Sequence, residues 1–135
     1  MRSLFVGLTV AALLTLALKP MTHVEAGEDK AREEFYTKRV KPIFDATCAR
    51  CHGGVNHRGG LNMDTRESLL KGGRDGAVIV PGDPAKSVLI TLIRHEGPKD
   101  EPRNMPPKGD KLSDADIRTI EDWIRAGAVM PEAAK

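Results

Sequence analysis

Strand-like alternation, a second cysteine pair, a basic stripe and an aromatic platform are all missing from this sequence, and each gap closes off a class of function. There are one Trp, one Tyr and three Phe in 135 residues, and the formal net charge is only +2. That combination excludes the electrostatic footprint and stacking surface of a nucleic-acid binder. No low-complexity tract is present, and charged residues make up 30%, as in ordinary soluble proteins. No hairpin signal appears either. The length suits one domain rather than two.

What is present begins with an export pattern. Met1-Arg2 gives a short positive start, Leu4 to Leu18 is an uncharged run, and Val24-Glu25-Ala26 offers small or apolar residues where a signal peptidase reads. The run is shorter than the roughly 20 residues a spanning helix needs. The pattern therefore predicts a signal peptide over 1–26, cleaved after Ala26, with an uncleaved N-terminal anchor as the alternative. Loss of Arg2, Lys19 and Glu25 would leave residues 27–135 at a net charge of +1, so charge steering is weak. No later segment can span a bilayer. The mature stretch keeps only Phe35, Tyr36, Phe44 and Trp123 as aromatics. Such a thin core gains from a large apolar cofactor.

Both cysteines fall in Cys48-Ala49-Arg50-Cys51-His52. C-x-x-C-H is the attachment signal for haem c. Its spacing has a geometric reason: residues three and four apart share a helix face. Both thiols then reach the vinyl groups of one ring while the His52 imidazole points at the iron. Three other readings compete. A Cys48–Cys51 disulfide closes too small a loop to restrain the unfolded chain much. A thioredoxin-like pair wants a βαβ setting. A zinc site wants two further ligands, and His57 and His95 come without a second paired motif.

The rest reads as helix and loop. Residues Ala31 to Cys48 predict a helix with Phe35, Val40 and Phe44 inward, interrupted at Pro42. Gly53 to Gly60 is a loop. Asp64 to Leu70 predicts a short capped helix stopped by Gly72-Gly73. Asp83 with Pro84 predicts a helix running through Val88, Leu89 and Leu92. Gly97 to Asp110 holds four of the nine prolines and is a long, functional loop. Ser113 with Asp116 opens a last helix whose apolar face is Ile117, Ile120, Trp123 and Ile124, ended by Gly127.

His52 alone would leave the iron one open position. Met63, Met105, Met130, His57 and His95 are the candidates. Met105 is preferred, because Pro106-Pro107 stiffen the segment that presents its sulfur, and a thioether paired with imidazole suits electron transfer. Met63, close to the attachment loop, reads as a packing residue, and Met130 lies past the last helix, near a chain end. His95 is the reserve. A carbonyl within Gly59 to Leu61 can accept the other His52 N–H. Arg58, Arg103 and Lys108 are candidate partners for haem propionates, although a solvated surface charge is the simpler reading of each.

Further segments carry a resemblance: Val40-Lys41-Pro42-Ile43-Phe44, Gly60-Leu61-Asn62-Met63-Asp64, Leu69-Leu70-Lys71-Gly72-Gly73, Val80-Pro81-Gly82-Asp83-Pro84 with Ser87, Met105-Pro106-Pro107, and Leu112-Ser113 through Trp123-Ile124 to Gly127-Ala128. With Cys48 to Gly53 they make the sequence similar to class I cytochromes c of the planctomycete type, over about Phe35 to Pro131. The resemblance implies an all-α fold of about four helices around a single haem in a domain over 27–135. It also implies thioethers at Cys48 and Cys51, and His52 and Met105 as axial ligands. The expected function is single-electron carriage between redox partner proteins in a periplasmic or secreted location, not catalysis. The rival is a haem enzyme or gas sensor with a labile sixth ligand.

Overall fold

The computed structural model describes residues 24–97 and 104–132. The expected signal segment lies outside the described residues except for positions 24–26, which begin the first helix. Among the described residues no helix is long and apolar enough to cross a membrane.

The expected all-α architecture is found. Helix α1 (Val24–Phe35) passes into one wide π-turn, Tyr36–Val40, and then into α2 (Lys41–Thr47). The sequence predicts one interrupted helix here, starting at Ala31. The interruption has a physical cause at Pro42. A proline offers no N–H to the turn before it and its ring crowds that turn. The chain widens instead, with the Lys41 N–H donating to the Tyr36 carbonyl five residues back, and Pro42 sits in the first turn of α2, where no donor is needed. Tyr36, Val40 and Phe44 all turn inward across the bulge.

After α3 (Ala49–His52) the chain loops to α4 (Arg66–Lys71). Thr65 caps α4 by accepting from the Ser68 N–H at 3.1 Å, and the Ser68 hydroxyl faces the Thr65 N–H in return. The expected single helix from Asp83 through Leu92 is not found. A 3-10 turn, Pro84–Lys86, precedes a separate α5 (Val88–Ile93). Buried Ser87 makes the break: its hydroxyl donates to the Asp83 carbonyl at 2.9 Å and accepts from the Val80 N–H at 2.9 Å. Side chains that bond locally to the backbone compete in this way with helix continuation. Helix α6 (Asp114–Arg125) starts at Ser113, whose oxygen accepts from the Asp116 N–H at 3.1 Å.

One core joins these elements. Ile117, Ile120, Trp123 and Ile124 of α6 meet Tyr36, Val40 and Phe44, with Leu69, Leu89, Ile90 and Ile93 around them. Trp123 lies 5.6 Å from both Tyr36 and Phe44, centroid to centroid. Its indole N–H donates to the Val129 carbonyl at 2.7 Å, which satisfies the polar atom of an otherwise buried ring.

Candidate functional site

Helix α3 is a single turn, and that turn is the cysteine motif itself. The N–H groups of Cys51 and His52 both donate to the Cys48 carbonyl at 3.0 Å, and Gly53 closes the turn on Ala49 at 2.9 Å. Cys48, Cys51 and His52 therefore share a face, as the spacing predicts. The two thiols are not joined in a disulfide. The loop that follows is held back on the turn. The Gly54 N–H donates to both Asp64 carboxylate oxygens, at 3.1 and 2.9 Å, and the Asn56 amide donates to the Arg50 carbonyl at 3.2 Å.

That face opens onto a cavity of about 340 Å³. Cys48, His52, Leu61, Met63, Leu89, Leu92, Ile93, Met105 and Pro107 line it, so its walls are mostly apolar. Cys51 lines a smaller adjoining pocket together with Cys48, His52, Met105 and Pro106. Three of the four expected site residues thus meet at the large cavity, and all four meet at the small one. Met105 arrives there because its N–H donates to the Leu92 carbonyl at 3.0 Å, pinning the proline-rich loop to the end of α5.

One wall consists of backbone. The turn after α4 closes on itself through mutual bonds between Gly73 and Gly76, at 3.0 and 3.1 Å. A Cβ on Gly73 would lie 2.7 Å from the Gly59 carbonyl oxygen. Only glycine admits the approach that lets the Arg74 N–H reach that same oxygen at 2.7 Å.

Burial dominates the electrostatics of the site. Burial pushes the Cys48 thiol above its ordinary pKa, partly offset by the Thr47 hydroxyl 3.2 Å away, with Cys51 adding to the rise. Burial also lowers the His52 pKa, against the opposing carbonyls of Arg58 and Leu61, and the Arg58 charge lowers it further. The imidazole is therefore neutral at neutral pH, the form a metal ligand requires. Neither carbonyl closes a hydrogen bond on Nδ1, which is buried without a partner. A neutral imidazole, two unpaired thiols and a thioether around one apolar cavity fit a covalently attached haem.

The other candidates separate cleanly. Met130 is buried in the core and lines neither pocket. Met63 lines the cavity, with its N–H donating to the His52 carbonyl at 2.8 Å. His57 points to Asp64, 4.0 Å away. His95 lies outside the lining of both pockets, its Nε2 buried without a partner. Among the described residues no group of three or more His, Cys, Asp or Glu is placed to hold a metal ion. Arg58 lines the cavity and Lys108 does not, while Arg103 lies outside the described residues. Arg74 and Asn104, which sequence reasoning missed, also line it. The available signal for Arg74 was its place directly after the Gly72-Gly73 helix stop.

Comparison with known proteins gives one family: residues 48–109 match the model described as Planctomycete cytochrome C. No curated protein and no solved structure matches the chain.

Proposed function

We propose, from the match of residues 48–109 to the model described as Planctomycete cytochrome C, that this chain carries single electrons in an extracytoplasmic compartment, through one haem c bonded to Cys48 and Cys51 with His52 and Met105 as axial ligands. The observation that carries this reading is that Cys48, His52 and Met105 line one apolar cavity of about 340 Å³.

When bound, haem supplies an iron that cycles between ferrous and ferric states. The two thiols would hold the ring by thioethers, so that it does not dissociate. His52 would bind the metal as a neutral imidazole. Met105 would fill the second axial position, and a thioether there raises the reduction potential. Leu61, Leu89, Leu92 and Ile93 keep water from the cavity walls and lower the local dielectric, which favours the less charged ferrous state. With His52 and Met105 both engaged, the bound group would keep no free position for a substrate, and its exchange partners would be separate redox proteins.

Visible spectra of the holoprotein and its Met105→Ala variant test this. The wild type should be low-spin in both redox states and show the weak red-end band of a thioether-bound ferric haem. Met105→Ala should lose that band and have a lower midpoint potential. A high-spin wild type that binds carbon monoxide readily would favour the enzyme or sensor reading. An unchanged spectrum in the variant would move the sixth ligand elsewhere, with His95 next in line.

A further inference from the structure

Two buried polar atoms stand unpaired where the segment carrying Met105 meets the end of α5. They are Nε2 of His95 and Oδ1 of Asn104, and neither has a hydrogen-bond partner among the described residues. Burying such atoms without partners is costly. The backbone brings their residues together. The Leu92 carbonyl accepts the His95 N–H at 3.2 Å and the Met105 N–H at 3.0 Å. Asn104, directly before Met105, lines the cavity and folds back on the end of α5, its Oδ1 3.2 Å from where a Gly97 Cβ would stand. His95 is also an uncommon residue for its place. The Glu96 N–H donates to the Thr91 carbonyl at 3.1 Å, so a Schellman turn ends α5 with His95 at its left-handed position, φ +58°. Glycine is the usual occupant, because a Cβ is crowded there. Strain of this kind persists where the surrounding contacts hold it in place.

We propose that His95 and Asn104 are a pair of positioning residues for Met105: the His95 Nε2–H donates to Asn104 Oδ1, and this latch holds the thioether at its axial position against competing ligands. The proposal rests on the reading of Met105 as an iron ligand. With both backbones fixed at Leu92, side-chain rotation closes the bond. It gives each orphaned atom its partner, and it gives the strained turn a reason to keep a histidine. The latch acts one residue before the sulfur. Opening it frees the segment that presents Met105, while the backbone bonds of the turn still hold α5.

The test titrates the ferric haem-loaded protein with added imidazole, which binds the iron only where Met105 has let go. His95→Gly and Asn104→Ala should each raise the affinity for imidazole by about tenfold, following a tenfold larger open population. The double variant should add little to either, because both remove one bond. His95→Gln keeps an N–H donor and should recover most of the change. His95→Gly also relieves the strained turn, so its gain in imidazole affinity should come with little loss of stability to urea. Ser113→Ala, which removes the cap of α6, should lose stability and keep the wild-type affinity. Wild-type affinity in both His95→Gly and Asn104→Ala overturns the proposal, and so do additive effects in the double variant. Nitrogen-15 spectra of the labelled histidine rings do not depend on the sixth ligand. Asn104→Ala should shift the His95 Nε2 signal, and an unshifted signal overturns the latch. If the wild type lacks the thioether band, it is the reading of Met105 that fails, and the ring spectra still decide the latch.

Discussion

Gly72→Ala should destabilise this protein strongly. The residue has φ +82° and ψ −164°, a region open essentially to glycine alone and costing about 1–3 kcal/mol for any other residue. Sterics add to that. A Cβ there would lie 2.1 Å from the Gly76 carbonyl oxygen and 2.6 Å from the Ala77 Cα. Both obstacles are backbone, so no side-chain rotation relieves them. The turn itself must open, and with it the Gly73–Gly76 bonds and the cavity wall they build. We expect a total loss of about 3–5 kcal/mol, against the roughly 5–15 kcal/mol that stabilises a typical domain. Gly82→Ala is the matched control. Gly82 has φ +85° but open space where its Cβ would be, so only the backbone term of about 1–2 kcal/mol applies. Urea unfolding of the two holoproteins by circular dichroism separates the terms. The steric account is refuted if Gly72→Ala loses no more stability than Gly82→Ala.

Alkaline pH should weaken the fold through Tyr36. Burial pushes its hydroxyl up to about 12, helped by the charges of Asp45 and Asp64, from an ordinary 10.0. The folded value lies above the unfolded one. The contribution is therefore complete below pH 10 and disappears as pH rises toward 12. Two units correspond to about 2–3 kcal/mol, and Tyr36→Phe should flatten this alkaline limb in thermal melts taken across that window. Ser113→Ala should cost about 1 kcal/mol by removing the cap of α6, a loss of a few degrees in melting temperature, and Ser113→Asp should restore it.

Much of this was legible because the signals are local. The helix-face spacing of Cys48, Cys51 and His52, the cap at Ser113 and the stripe from Ile117 to Ile124 depend only on neighbours in the chain, and each recurs in the structure. What escaped depends on individual hydrogen bonds and loop contacts that hydrophobic periodicity does not encode. The helix expected from Asp83 broke because the Ser87 hydroxyl bonds to Val80 and Asp83, and the Val78 carbonyl takes the Leu89 N–H at 2.9 Å. No period reveals such bonds. Arg74 reaches the cavity only through the meeting of two glycine loops. Met63 reads as a packing residue yet also lines the cavity, because its backbone is bonded to His52.

The most direct test of the account is the mass of the purified chain from a host equipped for cytochrome c maturation, taken before and after acid–acetone extraction. The account predicts the polypeptide plus one haem, with the added mass and colour surviving extraction, and with Cys48→Ser/Cys51→Ser losing both. A colourless chain at the bare polypeptide mass, with both thiols free to alkylation, would contradict it.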